Sequence, residues 1–136
     1  APTILSDRGL DAALSAVVQR AETSGVPTTL HLELPRRLPD EVESVAYFVV
    51  AEALTNIAKH AGATQAVVTV RLDGSAHLLH ISIFDAGRGG ALVSSDENAT
   101  GLRGLQERVR AAGGTFGVTS PATGPTIVTA VLPCGS

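Results

Sequence analysis

Apolar and polar positions alternate in two distinct rhythms along this chain. Between Ser6 and about Ser24, Leu10, Leu14, Val17, Val18 and Ala21 recur at helical spacing, and Gly25 supplies a stop. "VPTTLHLELP" then switches to a period of two, with Leu30, Leu32 and Leu34 on one face and Thr29, His31 and Glu33 on the other, a half-buried strand. "RRLPD" reads as a loop in which Asp40 is the N-cap of a second helix and Glu43 its capping partner. That helix is expected from about Glu41 to His60, ending at Ala61-Gly62. "TQAVVTVRLD" and "AHLLHISIFD" predict a strand pair turning at Asp73-Gly74-Ser75. "AGRGGALVSSDENATG" has the composition of a mobile loop, and "LRGLQERVRAAGG" that of a short amphipathic helix closed by Gly113-Gly114. "TFGVTS" and "PTIVTAVLP" complete the pattern as two strands around a Pro121 to Gly124 turn.

The order is helix, strand, helix, two strands, loop, helix, two strands. Such an order is most economically met by one mixed, mostly antiparallel sheet with helices on one face. The expected fold is therefore α+β, a two-layer α/β sandwich.

Composition narrows this further. The 136 residues suffice for one domain, expected over 1–136. With 44% hydrophobic and 17% charged residues the chain has a globular composition. Aromatic residues make up only 3%, so Ala, Val, Leu and Ile must fill the core. A net charge of -3 argues against a nucleic-acid partner held by bulk electrostatics. The lone cysteine, Cys134, has no internal partner, which suits a reducing, cytoplasmic compartment. No apolar run is long enough for a membrane span. The chain contains no Met, which leads to the expectation of a segment excised from a longer protein.

Three stretches carry candidate chemistry. In "EALTNIAKHAG", Glu52, Asn56, Lys59 and His60 fall at offsets 0, +4, +7 and +8, so they share one face of the second helix. An amide oxygen on Asn56 suits Mg²⁺, Glu52 could orient or deprotonate a nucleophile, and Lys59 or His60 could offset phosphate charge. In "DAGRGG", Asp85 ends an apolar strand, and Gly87, Gly89 and Gly90 leave room for a ligand. In "GLRGL", Gly101 and Gly104 precede or open a helix whose terminal amides favour phosphate. The chemistry common to all three is a nucleoside triphosphate with Mg²⁺. There is no G-x-x-x-x-G-K-[ST] and no G-x-G-x-x-G, so neither a Walker loop nor a dinucleotide fingerprint is present. Taken singly, Glu52, Lys59 and Asn56 read more simply as solvated helix residues. Four in one stripe, followed by Asp85 and paired glycines, read together.

E-A-L-T-N-x-x-K-H-A, then D-x-G-x-G, then G-L-R-G-L-x-E-R-V closely resembles the catalytic ATP-binding domain of bacterial two-component sensor histidine kinases, nearest to the nitrate/nitrite-sensor type. The likeness runs over nearly the whole chain and implies the Bergerat fold. By matching positions it implies that Glu52 is the acid that polarises the attacking group and that Asn56 coordinates Mg²⁺. Lys59 and His60 would lie beside the phosphates. Asp85 would read the adenine amino group, with Gly87 and Gly89 shaping the wall. Gly101, Leu102, Gly104 and Leu105 would form the second glycine box at a phosphate-binding helix start, and Gly90 to Thr100 the lid. The implied activity is transfer of the γ-phosphoryl group of ATP to a histidine on a separate dimerisation domain, and through it to a response regulator. The segment alone would be a monomer that does not phosphorylate itself.

Two departures stand out. G-P-T before the last strand places Pro125 where relatives commonly have Gly or nothing, and no histidine here is followed by an acid. The competing function is a nucleotide-gated protein-binding module or an anti-sigma-factor-type serine kinase. His31, His77 and His80 lack metal-ligand neighbours at zinc spacing and read as structural. Arg36 and Arg37 read as a solvated loop, Arg103 as an ion-pair or a phosphate-reaching residue, and Cys134 as part of a tail with no activating base.

Overall fold

The computed structural model describes residues 3–59, 65–86, 96–121 and 125–135, with the backbone alone for 96–101. The order is α1 (Thr3–Arg8), α2 (Leu10–Thr23), β1 (Thr28–Glu33), α3 (Asp40–Lys59), β2 (Ala66–Asp73), β3 (Leu78–Asp85), α4 (Asp96–Ala111), β4 (Thr115–Thr119) and β5 (Thr126–Pro133). The strands form one sheet in the order β1-β2-β3-β5-β4, with β1 and β2 parallel and the other pairs antiparallel. The two-layer sandwich expected from the element order is the one observed.

Strand parity explains the layers. Val68, Val70, Leu79, Ile81, Ile83, Val128, Ala130 and Leu132 all point to one face and are buried there. Phe84, Ser82, His80 and Thr69, the intervening residues, lie on the opposite face and are half-buried. The buried face meets Leu10, Leu14 and Val17 of α2, Ala46, Val49, Val50 and Ala53 of α3, and Leu105 and Val109 of α4. β1 alternates as expected, with Leu30 and Leu32 half-buried and Thr29, His31 and Glu33 exposed.

Four expectations are corrected. The first helix is two: Gly9, at φ 93°, breaks the chain between α1 and α2. Asp40 is the first helical residue and not the N-cap, because the Pro39 carbonyl already accepts from the Glu43 amide at 3.0 Å. Glu43 does turn back, but beyond that point: its carboxylate accepts from Arg37 Nε at 3.1 Å, Arg37 Nη2 at 3.0 Å and the Leu38 amide at 3.3 Å. Arg37 is therefore no free loop cation. It ion-pairs with a buried acid and lies against Gly9, where a Cβ would meet its side chain at 3.0 Å. The fourth correction concerns α4, which starts at Asp96, so the backbone from there to Gly101 is helical and not loop.

The helix stops behave as the glycines foretold. Val26 donates to Ala21 O and Gly25, at φ 98°, to Glu22 O. Gly114 donates to Val109 O and Gly113, at φ 82°, to Arg110 O. Both are Schellman closures. Gly114 has a second reason to be glycine, since a Cβ there would run into the Val131 carbonyl.

The β2–β3 turn is longer than the three residues expected and includes His77 at φ 56°. Asp73 organises it by accepting from the Ser75 hydroxyl at 2.9 Å, the Ser75 amide at 3.2 Å and the Ala76 amide at 3.3 Å. These bonds, the Ser75 hydroxyl foremost and the Ala76 amide next, hold the Asp73 carboxyl below its ordinary value. A depressed folded pKa stabilises above the unfolded pKa, about 3.9, and that stabilisation is lost as pH falls through the folded value. Asp73→Asn is thus expected to lower Tm at neutral pH, with the gap to wild type closing below about pH 4. Thermal melts across that range check it; a gap independent of pH would assign the loss to turn geometry instead of charge.

Candidate functional site

The site is built from the ends of three elements. β1 and β2 run parallel with α3 as their crossover, so α3 must run back against both strands. Its C-terminal end, with Asn56 and Lys59, therefore lies where β2 begins at Ala66. Ala66 is in register with Asp85, and Asp85 with Thr126. At the other end of the sheet, α4 finishes at Ala111 shortly before Thr115, which pairs with Val131. The N-terminal half of α4 thus runs back towards the Asp85 end.

Asp85 shares the parity of Leu79, Ile81 and Ile83, so it lies on the helix-covered face of the sheet as the last residue of β3. It is half-buried, and the next amide, Ala86 N–H, is tied to Gln65 O at 3.1 Å. Beside it stands a polar pair that sequence reasoning missed. Thr126, across from Asp85, is buried, and its hydroxyl lies 2.7 Å from that of Ser120, also buried. The signal was present in "PTIVTAVLP", where Thr126 takes an inward position otherwise filled by Val128, Ala130 and Leu132. An acid and two hydroxyls at the rim of an aliphatic core can hydrogen-bond a flat heterocycle whose faces meet apolar side chains.

On α3, Glu52 and Asn56 are half-buried and Lys59 is exposed. They flank the core-facing stripe of Val49, Val50, Ala53 and Ile57 without belonging to it. Phe48 extends this polar line by one turn, and the Arg108 guanidinium of α4 sits 3.9 Å from its ring centroid, which docks α4 beside the stripe. His60, Gly87 and Gly89 lie outside the described residues, as does the expected lid from Gly90 to residue 95. Among the described residues no group of three or more His, Cys, Asp or Glu is placed to hold a metal. An ion at this stripe would rest on Asn56, water and oxygen atoms of the ligand itself.

The "GLRGL" stretch differs from expectation. Gly101, Leu102, Gly104 and Leu105 do not open a helix but lie inside α4. Beyond the first four residues of a helix the amides bond to carbonyls within it, so the uncommitted N–H groups belong to the turn at Asp96. Leu105 is fully buried and Leu102 packs against the same core. Gly104 has no structural explanation: nothing lies within 4 Å of where its Cβ would be. Cys134 is also corrected, from a tail residue to a buried one, its amide bonded to His77 O at 2.8 Å. Burial pushes its thiol up, which makes it a poor nucleophile.

No protein-family model matches the chain. Individual proteins do. It is 33% identical over 97% of its length to the sensor histidine kinase MctS of Rhizobium johnstonii. It is 31% identical over 97% to the oxygen sensor histidine kinase NreB of Staphylococcus carnosus, and 32% identical over 93% to the histidine-protein kinase/phosphatase DegS of Brevibacillus brevis. Over nearly its whole length the chain is similar to one segment of sensor histidine kinases. It spans 29%, 38% and 33% of those three relatives. Among solved structures, the histidine kinase domain of a blue-light activated histidine kinase from Erythrobacter litoralis superposes with a TM-score of 0.68 at 22% identity, over 93% of this chain and 59% of that one. Full-length ShkA, determined in complex with AMPPNP, gives 0.70 at 20% identity, over 93% of this chain and 29% of that one. At such identities these two establish the fold alone.

Glycine within a helix costs about 1 kcal/mol relative to alanine. Gly104→Ala is therefore expected to raise stability by about 0.5–1 kcal/mol in urea melts. If a ligand approaches the backbone there, the same change weakens nucleotide-analogue binding. Unchanged binding in the stabilised variant would leave the position without a ligand role.

Proposed function

We propose that this chain is the catalytic domain of a longer sensor kinase, a single folded unit over 1–136 that binds ATP with Mg²⁺ and presents the γ-phosphoryl group to a histidine on another domain. The observation that carries this reading is the register of Asp85. Strand parity turns its carboxylate to the helix-covered face, level with Thr126 and at the same end as Asn56 and Lys59. A carboxylate there accepts from an exocyclic amine, the Thr126 and Ser120 hydroxyls extend the polar edge, and the aliphatic core supplies the faces. Asn56 contributes its amide oxygen to the ion, Glu52 orients the incoming nucleophile, Lys59 and His60 serve the phosphates, and Gly87 and Gly89 serve the wall of the adenine pocket. The bound ion supplies charge neutralisation, while the chain's own part is positioning and the exclusion of water.

The partners on this reading are the phosphoacceptor domain of the same kinase and, through it, a response regulator. The relatives named above are sensor kinases, which favours phosphotransfer over a nucleotide-gated binding module. No described helix is long and apolar enough to cross a membrane; a cytoplasmic, monomeric domain is the state we propose for the segment.

Calorimetric titration with a non-hydrolysable ATP analogue tests this. Binding is expected to be saturable, tighter with Mg²⁺ and stronger than for the GTP analogue. Asp85→Asn is expected to weaken it about tenfold or more, since a hydrogen bond to a charged group contributes about 1.5–3 kcal/mol. Asn56→Ala should remove the Mg²⁺-dependent tightening, and Glu52→Gln should leave binding intact while lowering phosphotransfer in the full-length kinase. Full analogue affinity in Asp85→Asn would refute the adenine role, and loss of binding in Glu52→Gln would make that residue structural.

A further inference from the structure

α2 and α3 leave a groove of about 410 Å³ between them, open to solvent and reaching Lys59 at the C-terminal end of α3. Its floor is small and apolar, with Ala21, Ala51 and Leu54, and its rim carries Arg20, Lys59 and the Tyr47 hydroxyl. None of the described residues lining it is an acid. Arg20 donates to Tyr47 Oη at 3.3 Å, a neutral partner, and among the described residues neither Arg20 nor Lys59 takes part in an ion pair. On a chain of net charge -3, this is a basic trough with an aliphatic bottom.

The shape and charge together select an occupant. A small molecule in an open trough would stay largely solvated, whereas ligand pockets bury about 70–90% of what they hold. A protein segment does not need enclosure. From Tyr47 to Lys59 the α3 wall extends about 18 Å at 1.5 Å per residue, the length of about three helical turns. The alanines of the floor let another helix approach closely, and the two rim cations call for carboxylates along its edges. We propose that the α2–α3 groove docks an acidic amphipathic helix of a partner protein segment, its small apolar side chains on Ala21, Ala51 and Leu54 and its carboxylates towards Arg20 and Lys59. The groove shares Lys59 with the nucleotide reading, but Arg20 and the floor of Ala21, Ala51 and Leu54 belong to the groove alone, so the proposal does not rest on that reading.

The probe is a three-turn helical peptide with Ala and Leu on one face and Glu along both edges, with Gln and Lys counterparts. Amide shifts of the isotope-labelled 136-residue chain report where it lands. The Glu peptide is expected to shift α2 and α3 residues around the groove, with the Gln peptide weaker and the Lys peptide silent. Arg20→Glu, on an exposed residue outside the nucleotide stripe, should weaken the Glu peptide by about fivefold or more and leave ATP-analogue binding unchanged. The effect should fade as salt rises. Ala51→Phe, which fills the floor, should abolish docking; if that variant fails to fold, Arg20→Glu and the three peptides still decide. The proposal is overturned by shifts elsewhere, by no binding, or by equal binding of the Glu and Gln peptides. Insensitivity to Arg20→Glu overturns it too, as does displacement of the peptide by inorganic phosphate acting on the same residues, which would make the trough a small-anion site.

Discussion

A single sheet with one covered face is the constraint from which the other features follow. Five strands put Val68, Val70, Ile81, Ile83, Val128 and Ala130 on one side, and that side must be roofed by helices with matching apolar stripes. α3 supplies most of the roof with Ala46, Val49, Val50 and Ala53, and a stripe of this kind covers only part of a helix circumference. Glu52, Asn56 and Lys59 occupy the flank the core does not claim. The candidate site is therefore the seam where roof and sheet part company, at the end where α3 stops and β3 runs out. Polar groups can sit there half-buried without being stranded in the core.

The far end of the roof is secured by different means. Glu43 is buried, 3% exposed, yet it holds two bonds from Arg37 and one from the Leu38 amide. That satisfies the acid where α3 begins and pins the 34–39 linker, and Arg37 in turn lies over the Gly9 break between α1 and α2. One carboxylate thus fixes the relation of three segments. Its partner guanidinium is 52% exposed, so the cost of burying the charge falls mainly on Glu43. The Arg108–Phe48 stack does for α4 what Arg37 does for α2.

Periodicity made the elements legible, because core parity is a local property of the chain: the alternation in "LHLELP" and "HISIFD" and the helical spacing in α2 and α3 all match the observed faces. Glycine stops at Gly25 and Gly113 were legible for the same reason, since the positive φ is a local demand. What was not legible depended on tertiary partners. A buried Glu43 looks like any first-turn acid until Arg37 is brought to it. The Ser120–Thr126 pair is separated by a turn whose closure only the sheet enforces. The early start of α4 at Asp96 escaped because "DENATG" is rich in residues that favour caps and turns, and propensity is a weak guide where packing decides. In the site itself, Glu52, Asn56 and Asp85 could be singled out from chemistry and spacing, whereas the place of Gly104 inside a helix could not.

The parity of Asp85 has an evolutionary corollary. Its carboxylate faces the covered side only because Ile83, Ile81 and Leu79 do, at steps of two. Adding or deleting one residue within β3 would turn either the core or the acid to the wrong side, and no side-chain substitution could repair both. Length changes in this strand are tolerable in pairs or not at all, so drift in this domain is channelled into the connections between elements. The arithmetic of the pleat guards the acid against insertion as firmly as it builds the core.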